Sequence, residues 1–208
     1  AYFWMLAVIT VGTAVYLLQQ GTFATLGLAL RHASLQVVSM QTSTGFTTGG
    51  FAQWPGALPA LMVMLTLVGG CAGSTAGGMK VIRWLLVYRQ GIVELKRLVH
   101  PSAEIPVKLA GRPVPQRIIS GVAGFFAMYF IIFAILTLLL MMLGLDQVTA
   151  WSAIATSINN TGPGLGAVTR TFRDIPDAAK WVCAVAMLIG RLEIFTLVLL
   201  LTPTFWRR

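Results

Sequence analysis

Apolar and polar positions alternate in long blocks along this chain. Ala1 to Leu18 is uncharged and apolar, about long enough to cross a hydrocarbon core, and predicts a first spanning helix. A polar connector follows. Leu26 to Met40 is shorter and carries Arg31 and His32 near its start, which predicts a helix that crosses halfway. Next comes a charge-free polar stretch, Gln41-Thr42-Ser43-Thr44-Gly45-Phe46-Thr47-Thr48-Gly49-Gly50. Trp54-Pro55 then opens an apolar run to Val68, since proline is tolerated at a helix start. Five glycines within Gly69–Gly78 interrupt it, each weakening a helix by roughly 1 kcal/mol relative to alanine. A helix resumes near Met79 and is expected to reach about Val99.

The second half repeats the order. Ile118 to Leu145 is uncharged and reads as the clearest span. Asp146 is placed to cap a short helix to about Ser157. A second polar stretch follows, Ile158-Asn159-Asn160-Thr161-Gly162-Pro163-Gly164-Leu165-Gly166. A mixed-charge connector over 168–180 leads to a last span, Trp181–Leu201. Gly45 and Gly162 are 117 residues apart, and at that offset Met40 falls on Ser157 and Gly49 on Gly166. The fold class expected is an all-α membrane protein of two span–pore-loop–span repeats. Residues 1–100 would form one repeat, 101–117 a connector and 118–208 the other. Two such units sharing one orientation meet about an axis along the membrane normal.

Composition agrees. The 208 residues are 57% hydrophobic with 10% charged and a mean hydropathy of +0.81, where a soluble domain carries about 25% charged residues. The net charge of +9 is local. Lys80 to Arg117 holds eight basic residues against Glu94 and Glu104, which makes this segment and the Arg207-Arg208 end cytoplasmic by the positive-inside rule. The stretches before 41 and after 166 would then face outside. The charge is therefore topological and argues against a nucleic-acid partner. Cys71 and Cys183 are too few for a disulfide framework, and His32 and His100 offer no metal spacing. His32 reads as a surface residue, and Trp54 and Trp181 as interfacial anchors. The opening at Ala1, inside an apolar run, reads as a chain cut from a longer one or processed.

The two polar stretches carry the candidate chemistry. Irregular backbone survives at membrane depth only when buried in protein or facing water. Carbonyl oxygens can replace an ion's water shell, and glycine gives the φ values that aim them. Ser43, Thr44, Gly45 and Phe46, with Asn160, Thr161, Gly162 and Pro163, are thus the candidate filter. A cation would bind backbone oxygens near Thr44, Gly45, Thr161 and Gly162. Each preceding half-helix would point its negative end at its loop. Arg191 falls near the middle of the last span, where a charge costs on the order of 3 kcal/mol. It pairs in expectation with the glycine stretch (Gly69, Gly70, Gly73, Ser74, Gly77 and Gly78) as a gate below the filter. Glu193 is two positions away, off its helix face, and is a candidate structural brace. The glycine stretch lacks the Gly-Lys-Ser/Thr of a phosphate loop. No nucleophile–base pair or paired carboxylates suggest an enzyme, and no covalent cofactor is expected.

On these residues the chain resembles the Trk/Ktr/HKT superfamily of potassium transporters, closest to its bacterial TrkH/TrkG branch. The matching pieces are Thr-Ser-Thr-Gly-Phe-Thr-Thr-Gly-Gly-Phe, Gly-Gly-Cys-Ala-Gly-Ser-Thr-Ala-Gly-Gly-Met-Lys, Asn-Asn-Thr-Gly-Pro-Gly-Leu-Gly and Gly-Arg-Leu-Glu. The resemblance implies that Gly45 and Gly162 are filter glycines of the third and fourth of four repeats, half of one potassium-channel-like pore. It implies that Gly69–Gly78 is an intramembrane gating loop and that Arg191 is the arginine below the filter. It implies K+ uptake, as a channel or an ion-coupled symporter, in a multi-pass protein of the bacterial inner membrane. Its partners would be a missing N-terminal half or a second half-chain, a homodimer mate, and a cytosolic regulatory subunit that binds a nucleotide of the NAD or ATP class. The alternatives are a non-conducting assembly or regulatory subunit and a cation channel of other selectivity.

Overall fold

The computed structural model describes residues 2–47, 50–71, 73–74, 77–100, 105–109 and 111–192. Among these residues, seven α-helices run in the order α1 (Tyr2–Gln19), α2 (Leu26–Gln41), α3 (Leu58–Val68), α4 (Val81–Val99), α5 (Gln116–Met142), α6 (Gln147–Ile158) and α7 (Asp177–Arg191). Among the described residues, α1 and α5 are long and apolar enough to cross a membrane. Both leave most of their apolar surface uncovered: Phe3, Trp4, Val8, Ile131, Ile135 and Leu138 are all exposed. The α6 helix is the opposite, with nine of its twelve residues buried. Its neighbours are therefore protein, and its sequence suits that place. Alanines let adjacent helices approach closely, and hydroxyls turn back onto the helix, Thr156 donating to the Ser152 carbonyl at 2.9 Å.

Each half packs its middle helix against the helix before it and the helix after it. Ala14 and Leu17 of α1, Ala29, Ala33 and Val37 of α2, and Met62 of α3 share one buried cluster. Tyr129 of α5, Ile154 and Ile158 of α6, and Cys183 and Ala186 of α7 share another. Ala155 of α6 and Leu165 join the first cluster, and α3 packs directly on α6, so the two halves share a continuous core. Cys71 and Cys183 are both free thiols.

Helix ends follow local chemistry. The Thr25 side chain caps α2, accepting from the Leu28 N–H at 3.4 Å. Asp146 caps α6, accepting from the Thr149 N–H at 3.0 Å. The hydrogen bonds from Thr149 hold its carboxyl below the usual carboxylate range. A depressed carboxyl stabilises the fold above its unfolded pKa, near 4, and that contribution is lost as pH falls through the lower folded value. Asp146→Ala removes the cap and is expected to cost about 1 kcal/mol. A thermal melt at neutral pH should show the loss in full, and the gap between parent and variant should narrow as pH falls through the acid range.

Several boundaries differ from expectation. α3 starts at Leu58 with Pro59 in its first turn, so Trp54-Pro55 precedes the helix. Residues 51–53 form a short 3-10 turn instead, with Phe51 buried. Trp54 is buried in the core, which corrects its reading as an interfacial anchor; Trp181 is exposed. His32 is half-buried and stacks on Phe23 with ring centroids 4.7 Å apart, rather than standing free at the surface. The connector holds a small antiparallel hairpin, β1 (Lys108–Leu109) and β2 (Arg112–Pro113), turned at Gly111 with φ +82°. Arg89 of α4 donates to the Lys108 carbonyl and fastens the hairpin to that helix. α7 begins four residues before the expected Trp181, and Arg191 is in its last turn rather than at mid-helix. The remainder of the expected last span, and Glu193, lie outside the described residues.

Candidate functional site

The two polar stretches leave their helices by the same turn. After α2, Thr42 caps with φ −87° and ψ 2°, and Ser43 takes φ +55°. The Ser43 N–H donates to the Met40 carbonyl at 3.3 Å, and the Thr44 N–H to the Ser39 carbonyl at 2.9 Å. After α6, Asn159 caps with φ −91° and ψ 0°, and Asn160 takes φ +54°. The Asn160 N–H donates to Ser157 at 3.0 Å, and the Thr161 N–H to Thr156 at 2.9 Å. Every pair is separated by 117 residues. This is the Schellman closure of a helix, which engages two of the last carbonyls and reverses the chain. Glycine usually holds its left-handed position. Here serine and asparagine do, and asparagine is the better tolerated of the two because its short polar side chain bonds locally. Gly45 (φ +79°) and Gly162 (φ +105°) come two residues later.

The two turns meet. A Cβ built on Gly45 would overlap the Thr161 carbonyl oxygen and lie 3.5 Å from Pro163 Cδ. The first loop thus passes main chain to main chain against the second, with no room for any side chain. Gly162 has nothing within 4 Å of its Cβ position, and Phe46 is exposed, so the assembly of loops is closed on one side and open on the other. Thr44 and Thr42 share a hydroxyl hydrogen bond of 2.7 Å. The second loop is braced against its own helix: Ser152 Oγ accepts from the Leu165 N–H at 2.9 Å, and Thr149 Oγ1 accepts from the Ala167 N–H at 3.1 Å.

The glycine stretch leaves α3 at Gly69, whose φ is +62°. Ser74 folds over Cys71, its N–H and hydroxyl both reaching the Cys71 carbonyl, at 3.1 and 2.8 Å. Gly73 also takes a left-handed φ, +84°. The chain returns as the Met79 N–H donates to Leu67 at 3.2 Å and the Val81 N–H to Gly70 at 3.2 Å. On this return it runs against the end of α6. A Cβ on Gly77 would overlap the Asn159 carbonyl, and one on Gly78 would lie 2.6 Å from Asn159 Oδ1. From the other side α7 does the same. A Cβ on Gly190 would overlap the Ile158 carbonyl, and Asn160 Nδ2 donates to the Met187 carbonyl at 3.2 Å. Two consecutive carbonyls at the end of α6 thus touch the glycine stretch and the residue next to Arg191. Arg191 itself is exposed.

The structure therefore gathers Gly45, Thr161 and Pro163 into one contact, and joins Gly77 and Gly78 to the base of the second loop. Four residues outside the sequence-based expectation belong here: Asn159, Thr66, Tyr129 and Gly190. Thr66 carries a sequence signal in retrospect, as the single hydroxyl inside the apolar run of α3, and Tyr129 a weaker one, as one of three hydroxyl residues in α5. Gly190 was legible only as the neighbour of Arg191. Among the described residues no group of three or more His, Cys, Asp or Glu could hold a metal ion. The oxygens available are those of the backbone and of hydroxyl and amide side chains.

The family model described as TrkH, a cation transport protein, matches residues 3–207. A Trk system potassium uptake protein TrkH of Vibrio parahaemolyticus is 55% identical over 179 residues, covering 86% of this chain and 37% of that protein. Its namesake in Escherichia coli is 48% identical over 180 residues, again 86% of this chain and 37% of the relative. The potassium uptake protein TrkI of Halomonas elongata is 38% identical over 207 residues, 98% of this chain and 42% of the relative. The crystal structure of the potassium transporter TrkH from Vibrio parahaemolyticus superposes with a TM-score of 0.92 at 48% identity, over 99% of this chain and 44% of that one. The chain thus spans about two fifths of the length of these relatives. It belongs to the TrkH family of cation transport proteins.

Proposed function

We propose that this chain supplies two of the loops that line the ion path of a potassium uptake protein. The observation that carries the proposal is the contact of Gly45 with the Thr161 carbonyl, between two turns of matching geometry. Two half-crossing helices end side by side, so their partial negative charges add where a cation would lose its water. The carbonyls around Thr44, Gly45, Thr161 and Gly162 replace that water. The names of the relatives supply the ion. Each half is a span–pore-loop–span unit, and the open side at Gly162 and Phe46 receives the remaining loops of a four-unit pore.

The orientation follows from charge. α4 and the hairpin carry the basic residues and face the cytoplasm of a bacterial inner membrane; both loops enter from outside. The resemblance to the superfamily extends this reading to a homodimer and a cytosolic nucleotide-binding subunit. Below the loops, Gly69–Gly78 obstructs the path, and Arg191 repels cations that approach it. Exchanging Arg191 for glutamine is expected to raise passive rubidium flux into liposomes carrying the complete gene product. Unchanged flux would remove Arg191 from the gate. The whole proposal is tested by rubidium uptake in potassium-starved cells lacking their own uptake systems. Failure of the complete gene product to support uptake, with the protein present in the membrane, would sink it.

A further inference from the structure

We infer that Asn159 is the positioning residue that holds the glycine stretch in its blocking place, through a buried network with Tyr129 and Thr66. This rests on the reading of Gly69–Gly78 as a gate. Asn159 is fully buried and both polar atoms of its amide are hydrogen-bonded. Nδ2 donates to the Ala155 carbonyl at 2.6 Å and to Thr66 Oγ1 at 3.2 Å. Oδ1 accepts from the Tyr129 hydroxyl at 2.9 Å. Thr66 gives its own proton to the Val63 carbonyl at 2.7 Å, so it can only accept from Asn159. That fixes which end of the amide is nitrogen, because the reverse assignment would set oxygen against two acceptors. One side chain therefore ties together α3, α5 and the end of α6.

The same residue is the floor on which the glycine stretch lies. Its carbonyl meets Gly77 and its Oδ1 meets Gly78, which is also 2.9 Å (as a Cβ distance) from the Thr66 carbonyl. Tyr129 is almost wholly buried, at 2% exposure, and by holding Oδ1 it fixes the height of that floor. Thr42, 117 residues earlier, caps the first loop with a hydroxyl that bonds Val38 and Thr44. Its short side chain stays on its own turn, so the arrangement is peculiar to the second loop, where the glycine stretch arrives. The loop's backbone turn is held separately by the Asn160 and Thr161 N–H bonds. Loosening Asn159 should then release the gate and leave the ion-binding carbonyls in place.

The test is rubidium leak and the potassium-to-sodium ratio in liposomes carrying the complete gene product. Asn159→Ala loses three side-chain hydrogen bonds, two of them to other helices, and is expected to raise leak about 3- to 10-fold, the scale of about 1 kcal/mol for a buried hydrogen bond, with the ratio kept. Tyr129→Phe should raise it less, and the double variant no more than Asn159→Ala alone. Where Asn159→Ala does not fold, Tyr129→Phe deletes one bond to Asn159 and Thr66→Val deletes another together with the Thr66 bond to Val63; both change the shape little and carry the same expectation. A folded Asn159→Ala or Tyr129→Phe with the leak of the parent, while Arg191→Gln leaks, would overturn the role of Asn159 and leave the gate standing. If neither Arg191→Gln nor Gly78→Ala changes leak, the gate reading itself fails. Additive effects of Tyr129→Phe and Asn159→Ala would also overturn the inference, since they would show that the two act apart.

Discussion

Gly45→Ala in the complete gene product is expected to abolish the selective potassium uptake proposed for it. Two independent costs fall on the same atom. The backbone there has φ +79°, a left-handed conformation that costs an L-residue roughly 1–2 kcal/mol. The added methyl would also overlap the Thr161 carbonyl oxygen, which belongs to main chain and cannot rotate away. The strain therefore moves the facing carbonyl, an oxygen proposed to bind the ion. A displacement of a fraction of an ångström changes the fit to one dehydrated cation more than to another. Uptake should fall at least tenfold and the potassium-to-sodium ratio should drop towards one, with Gly45→Ser behaving alike. Gly162→Ala is the internal control. Its φ of +105° is strained too, but nothing described lies within 4 Å of the new methyl. An unaltered ratio in Gly45→Ala protein that reaches the membrane would exclude Gly45 from the filter.

Gly190→Ala should be the most damaging small substitution in α7. The helix lies so close to the end of α6 that a methyl would overlap the Ile158 carbonyl, with the Ile158 Cα only 3.1 Å off. Both neighbours are backbone, and α6 is buried among other helices, so α7 must move outward. That movement strains the Asn160 bond to the Met187 carbonyl and shifts Arg191, one residue further on. Forcing a methylene into a packed interior costs typically 1–3 kcal/mol, and a contact between two main chains belongs at the upper end. The purified complete protein should melt several degrees lower, and the surviving fraction should leak. A melting point equal to the parent's would mean that α6 and α7 stand further apart than described. Gly91→Ala, in α4 with nothing within 4 Å, should be neutral or slightly stabilising, as expected where glycine serves no contact.

How far the sequence could be read depended on whether a feature was local. The seven helices, the break at the glycines and the cap at Asp146 follow from periodicity, propensity and capping chemistry within a few residues. The 117-residue correspondence of the two polar stretches was visible as well, because a repeated turn needs repeated residue types. Trp54 was misread because a tryptophan near a predicted membrane edge looks the same whether lipid or protein covers it. The start of α3 was misplaced because Pro55 and Pro59 are equally good first-turn residues. The hairpin at Gly111 was missed because two-residue strands leave no pattern to detect.

Sequence alone determined the class of the molecule, the place of its two glycine-bearing turns and, through close likeness to known relatives, its family. Those properties are written in residue type and order. The tertiary structure decided which backbones touch. It brought Gly45 to Thr161, Gly77 to Asn159 and Gly190 to Ile158, and it assembled Asn159, Tyr129 and Thr66 into one network. Such contacts join positions 30 to 93 residues apart in that network. A glycine shows in sequence that a side chain is missing, and only packing shows what occupies its place.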